Sequence, residues 1–540
     1  MTAPPRPLIV TGDVITMDPS RPRVAAVAIV DGRIAATGTV DEARAACPAG
    51  TATLELPGTV VPGLIDSHVH MLWGGRDLGR LDVSGARSVP ELLDAVAGYA
   101  ADHPQQPWLA GSAGLDPEDL AEGRFPTRAE LDAVTDGRPL FLDRRAHDAL
   151  VNGAALDAAA IDRDTPDPVG GVIERDAAGE ATGLLVERPA MELIERLLPA
   201  PDLEQRLRWL DAIQPEFLAR GITSVVDPAL TIDELLAYQA ADERGRLTVR
   251  TTAMPLGDGE VAPAEVDRAF RAAGVDLDRR EGERLRIGPW KLFLDGGGSL
   301  GTALLRDPWP GTTDYFGNQT TSTAGLRAYA RWAAETGAGL GVHTVGNAAV
   351  DLLLDAFAEA DAVRPIAGLG FTMIHAYLWP TGEQMARTRD LGVLLATQAP
   401  LQWKFGPGLI RRFGEEAVGG AHPLRSWLAS GTTVGGGSDG PDLPSLAPLF
   451  AFWQMQRRTV EGRDDPIGAQ EAITAEQSLA LYTTGAAVIA RAEDRGRLAP
   501  GYVGDLVALD VDPLRDPPEA CRDGRALVTV VGGEVVHDAR

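Results

Sequence analysis

The chain has 540 residues, 44% apolar and 24% charged. That is the balance of a folded protein with more buried volume than one ordinary core fills, so two or more compact units are expected. Lysine and arginine number 50 against 77 acidic residues, a formal charge of -27. Such a field repels phosphate backbones and anionic lipid, which removes nucleic acid and membrane from the expected partners. Two cysteines cannot build a disulfide framework, and no apolar run approaches the roughly 20 residues of a membrane helix. With no basic segment leading into an apolar core near the start, the expected compartment is the cytoplasm.

The first elements read as strands: PLIVTGDVITMD, then AAVAIVDGRIAATGT with the turn pair Asp31-Gly32. The last elements, DLVALDVD and ALVTVVGGEVVHD, read the same way. Chain termini often lie close together, so residues 1–61 and 491–540 are expected to form one small β-domain around a central unit, 62–490. Within that unit, short apolar runs alternate with amphipathic helical stretches, the pattern of parallel strands joined by crossover helices. The runs are VVPGLIDSH, GITSVVD, LTVRTTAM, RIGPWKLFLD, GAGLGVH, GLGFTMIH, LGVLLAT and GTTVGGGSD. An open sheet or an eight-stranded barrel would both satisfy this pattern.

Chemistry concentrates at the ends of these runs. His68 and His70 stand at i and i+2 after an apolar run, and on a strand that spacing turns both imidazoles to one face, half of a divalent-metal site. Lys291 with Asp295, His343, His375 and Asp439 end four further runs. In an eight-fold barrel the strand C-termini open on one face, where active sites are built.

These motifs, PGLIDSHVH, KLFLDGGGSLGTALL, GVHTVGNAAVDLLLDAF, FTMIHAY, GGGSDGP and the tail GRLAPGYVGDLVALD, resemble the amidohydrolase superfamily of metal-dependent hydrolases. The resemblance falls in the branch that includes N-substituted formamide deformylase. It implies an α/β fold, a (β/α)8 TIM barrel with a small β-sandwich made from both termini and a large insert after the first barrel strand. It further implies one or two divalent ions per chain, zinc first, held by His68, His70, Lys291, His343, His375 and Asp439, with Lys291 carboxylated as a bridge. A lysine buried beside cations loses its proton readily and can add carbon dioxide, which agrees with that role. The alternative is an ordinary lysine paired with Asp295 or a surface carboxylate. Ile374, Asn347 and Gly297 depart from the branch's usual residues, at positions that tune ligands or shape the loop after Lys291.

The segment from about 75 to 215 is too long for a loop and should form a lobe over the site. Its PLFLDRRAHDALVNGAAL and GGVIERDAAGEATGLLVE match the branch's insert, with His147 and Asn152 at its usual histidine and asparagine and His147 either contacting substrate or anchoring the lobe. Trp73, Gln398, Trp403 and Phe405 could line an apolar pocket, although core packing or loop anchoring explains each equally well. His103, His422 and His537 read as surface or structural. The glycine runs do not fit a dinucleotide fingerprint, and no GxSxG elbow is present.

The expected reaction is hydrolysis of an amide-like C–N bond in an N-substituted formamide, N-acyl or cyclic amide by metal-activated hydroxide, with Asp439 accepting the water's proton and handing it to the leaving nitrogen, and His147 or backbone donors of the insert steadying the oxyanion. Decarboxylation, other lyase chemistry or ester hydrolysis on the same scaffold is the alternative. A small-molecule substrate is the expected partner, and a homodimer is the assembly to test.

Overall fold

Each of the eight apolar runs supplies strand in the computed structural model, which describes residues 6–144, 147–440 and 446–540. Arg145 and Ala146 of the insert motif and Pro441 of GGGSDGP lie outside the described residues. Strand Ile222–Leu230 is buried at every position, as expected for a parallel strand covered on both faces. It pairs in parallel with Leu64–Asp66 on one side and Arg250–Pro255 on the other, and Leu285–Ile287 completes this four-stranded sheet. The run RIGPWKLFLD breaks at Gly288-Pro289, where proline has no N–H to give a ladder. Its second half, Trp290–Phe293, begins a five-stranded parallel sheet continued by Leu340–Gly346, Thr372–Leu378, Leu394–Thr397 and Val434–Gly436. The two sheets are stitched at both seams: Gly257 N–H donates to the Lys291 carbonyl at 2.8 Å, and Ser67 N–H to the Gly436 carbonyl at 3.0 Å.

Helix Thr323–Thr336 shows how the crossovers are specified. Ser322 caps it by accepting from Gly325 N–H, and Gly337 ends it at φ 71°, a left-handed conformation that glycine adopts without strain. Leu326, Tyr329, Ala330, Ala333 and Ala334 are buried, the spacing of one helical face. Burying the larger of these contributes roughly 1.5–3 kcal/mol each.

Both termini meet in one seven-stranded sheet, in which Ala52–Pro62 lies between Leu8–Ile15 and Leu506–Leu509. All seven strands belong to a single hydrogen-bonded sheet rather than two separate ones, and Arg33–Gly38 at one edge reaches the segment before Leu506 through Ile34 N–H to Tyr502 O (2.8 Å). A buried Arg250, doubly bonded to Asp505 at 2.6 and 2.9 Å, joins this sheet to the central strands.

The insert forms its own six-stranded sheet between Leu81 and Val186. Its extent differs from the expected 75–215. Helix Leu203–Leu218 packs against Met71–Asp77, and its Leu207, Leu210, Ile213 and Phe217 join the main core, so it is the first crossover helix and not part of the lobe. Among the described residues no helix is long and apolar enough to cross a membrane.

Candidate metal centre

His68 and His70 follow strand Leu64–Asp66, which sits beside Val434–Gly436, the strand that leads to Asp439. Backbone bonds lock the two segments together: Asp439 N–H donates to His68 O (2.9 Å) and His70 N–H to Gly440 O (3.2 Å). Beneath them the buried Asp66 carboxylate accepts from His68 N–H (3.0 Å) and Ser438 N–H (3.1 Å). A side chain at Gly437 would collide with Asp66 and the His68 backbone, so here glycine permits close packing of protein on protein.

The result is a tight donor group. Asp439 Oδ1 lies 3.2 Å from His68 Nε2 and 3.7 Å from His70 Nε2, and one donor atom from each of the three falls within 4.8 Å of the others. A second group adjoins it. His343 and His375 are 4.6 Å apart between ring centroids, and His375 is 5.2 Å from His68. His375 and Asp439 both hold positive φ, 80° and 61°, conformations that cost a non-glycine residue on the order of 1–3 kcal/mol and that cluster at functional sites.

Burial keeps the imidazoles neutral. It pushes His70 down to about 3 and holds His68, His343 and His375 well below the ordinary histidine range, so each offers a free lone pair at neutral pH, the form a metal takes. Lys291 completes the set. Its side chain is wholly buried, its Nζ has no hydrogen-bond partner, and burial lowers its pKa to about 7. The alternative pairing with Asp295 does not occur: that carboxylate is occupied by the N–H groups of Val345, Gly346 and Leu304 at 2.8 to 3.0 Å. A buried amine without a hydrogen-bond partner, facing the Phe293 ring at 4.6 Å, beside four neutral imidazoles and a carboxylate is a donor set that a divalent cation fits.

All six residues line one cavity, together with His147, Trp73, Phe405 and Lys404. Trp73 stacks on His70 at 4.1 Å and donates from Nε1 to Glu234 (3.1 Å), so it braces a candidate ligand as well as facing the cavity. His147 reaches the site from the lobe, 5.1 Å from His343, with Nδ1 against Glu187 Oε2 at 3.0 Å. Burial opposes its proton, but the charge and hydrogen bond of Glu187 outweigh burial and raise its pKa.

Several residues fall elsewhere. Trp403 does not line the cavity; it packs edge-on to Phe450 at 5.2 Å. Gln398 stands behind His375, its Oε1 2.5 Å from the ring Nδ1, and anchors that ring instead of lining the cavity. His422 is buried and not on the surface, stacked on Tyr377 at 4.2 Å. Asn152 holds the lobe: its side chain accepts from Leu140 and Ala155 N–H and donates to Thr135 and Arg138. Ile374 belongs to the apolar core and Asn347 accepts from Arg306 N–H away from the cavity, whereas Gly297 lines the cavity and begins a turn closed by Thr302 and Ala303 N–H. Glu187 closes the insert motif GGVIERDAAGEATGLLVE but was not singled out within it; its φ of 63° is legible only in three dimensions.

The Amidohydrolase family model matches residues 58–537. The chain belongs to this family. It is 30% identical over 543 residues to N-substituted formamide deformylase of Arthrobacter pascens, covering 98% of both chains. It is 29% identical over 538 residues to the putative amidohydrolase YtcJ of Bacillus subtilis, again covering 98% of each. Among solved structures, an uncharacterized metal-dependent hydrolase from Pyrococcus furiosus superposes with a TM-score of 0.72 at 28% identity, covering 94% of this chain and 100% of that one. These amidohydrolase relatives support a hydrolase of TIM-barrel-type α/β fold that uses a divalent metal.

Proposed function

We propose that this amidohydrolase cleaves an amide-like C–N bond at a zinc centre of one or two ions, on a closed (β/α)8 barrel whose strand ends carry the ligands. The observation that carries this reading is the convergence of His68, His70, His343, His375, Asp439 and a Lys291 without a hydrogen-bond partner on one cavity. The relative acting on N-substituted formamides supports the choice of an amide. A divalent cation held there supplies an acidified water and polarises the scissile carbonyl.

The chain's own residues do the rest. His68, His70 and Asp439 are the tightest donor group, and His343 with His375 forms the neighbouring one. Lys291, carboxylated, would present oxygen donors between them, replacing a cation that the site repels by an anion it needs. Asp439, partly exposed to the cavity, accepts the proton of the attacking water. Apolar Phe293, Leu300, Leu401 and Phe405 face the same space and would seat the acyl or amine substituent.

The test is a screen of the purified, zinc-loaded protein against N-substituted formamides, N-acyl amino acids, cyclic amides and esters, read by amine or acid release in heavy-oxygen water. Amine release with label in the acid supports the reading. Products without label would favour lyase chemistry instead.

A further inference from the structure

Residues 147 and 187 are joined twice. Glu187 N–H donates to His147 O at 2.5 Å, and the His147 ring meets the Glu187 carboxylate at 3.0 Å. For tethering two segments of the lobe the backbone bond is enough, so the side-chain bond calls for a separate explanation. It is not made cheaply. Glu187 is 2% exposed, keeps a positive φ, leaves Oε1 without a partner, and does not use its side chain to cap the helix it begins, Arg188–Glu195. A buried carboxylate in a strained backbone, turned from its own helix toward one imidazole, is a device for holding that imidazole.

The held ring is well placed. With Nδ1 engaged by Glu187, Nε2 is the ring nitrogen left for the cavity, next to His343 at 5.1 Å and Phe293 at 6.5 Å between centroids. A hydrogen bond from Nδ1–H to a carboxylate fixes both the tautomer and the plane of an imidazole. We propose that Glu187 is a positioning residue that orients His147 so that its Nε2 delivers the proton required by the leaving nitrogen as the C–N bond breaks. This rests on the amide-cleaving reading above. The proton ledger closes: water forms the new C–O bond and loses a proton to Asp439, His147 gives one to the nitrogen, and exchange through solvent returns Asp439 and His147 to their starting states. Asp439 and His147 thereby divide the two proton transfers between the strand ends and the lobe.

The experiment uses wild type, Glu187→Gln and Glu187→Ala, each assayed with one acyl group joined to amines of graded basicity, from alkylamines to nitroanilines. A strongly basic amine cannot leave without a proton, whereas a nitroaniline nearly can. For alkylamides we expect Glu187→Gln to lower kcat roughly 10- to 100-fold, the usual scale for a group that orients another, with KM and zinc content little changed. The loss should shrink steadily toward the nitroanilides. A loss equal for every amine, or one matched by lost zinc, would overturn proton delivery and leave a structural clasp only. Nitrogen-15 spectra of histidine-labelled protein give a readout free of turnover: an Nδ1-protonated resonance absent from His147→Asn should also vanish in Glu187→Ala. Its persistence would overturn the positioning role. If wild type releases no amine from any amide, the reaction reading fails and proton delivery with it, while the spectra still decide the clasp.

Discussion

On one wall of the cavity, His68, His70, His343, His375 and Asp439 are carried by parallel strands or by the residues just beyond them, whereas His147 is brought to the same cavity by an inserted lobe and oriented by a single carboxylate. The strand-borne groups have overlapping support. Backbone bonds tie the His68 and Asp439 segments together, Asp66 underpins both, Trp73 stacks on His70, and Gln398 holds His375. The lobe-borne group has one clasp. A cation attracts several donors at once and rewards rigid, redundant placement, while a proton donor needs one ring in one orientation. Removing donor atoms from the strand ends should therefore appear first as lost metal, whereas changes that leave a donor atom in place, or that strike the lobe, should appear as lost turnover with metal retained.

The largest effect should come from His68→Ala combined with His70→Ala. Elemental analysis should find the zinc gone and assays should find activity near background, while far-UV circular dichroism stays that of the wild type because the strand Leu64–Asp66 itself is unchanged. Next is Asp439→Asn, which keeps the shape and one oxygen donor but removes the proton acceptor. We expect turnover to drop on the order of 100-fold or more with zinc largely retained, and with kcat falling further than KM rises. A nearly wild-type kcat would move the general base elsewhere.

A smaller change tests the redundancy. Gln398→Ala removes only the partner of the His375 ring, so competition with a chelator should show zinc held about 10-fold less tightly, the lower end of what an orienting partner is worth. No change would mean that the remaining ligands alone set the affinity. The smallest effect is expected outside both walls. His422 is buried with neither ring nitrogen hydrogen-bonded, and it stacks on Tyr377. His422→Phe keeps the stack and removes two unsatisfied polar atoms, so denaturant titration should show stability unchanged or raised by about 1 kcal/mol.

The same contrast explains what could be read in the sequence. Histidines at i and i+2, or a histidine, lysine or aspartate near the close of an apolar run, announce a strand end, and six of the seven residues named that way line the cavity, Asp295 being taken up instead by backbone N–H groups. Strand periodicity also gave the eight central runs, because buried parallel strands leave long apolar stretches. The lobe was less legible. Helix Leu203–Leu218 was assigned to it, although its apolar residues at 207, 210, 213 and 217 have the spacing of a helix packed on a core. Gln398 and Trp403 both followed the seventh run, yet one backs a ligand and the other packs against Phe450, a difference set by the turn into helix Pro400–Phe413 and not by residue type. Glu187 stood at the end of the insert motif GGVIERDAAGEATGLLVE, but its role was not legible there, since neither its backbone conformation nor its partner 40 positions away is written locally.

Whether these strand-borne side chains hold a divalent metal is decided by anomalous diffraction at the zinc edge from crystals of the zinc-loaded protein. One or two peaks are expected about 2.0–2.2 Å from imidazole nitrogens of His68, His70, His343 or His375, with electron density for a carboxylated Lys291 beside them. A peak elsewhere, or no peak in protein that hydrolyses its substrate at full rate, would contradict this metal assignment.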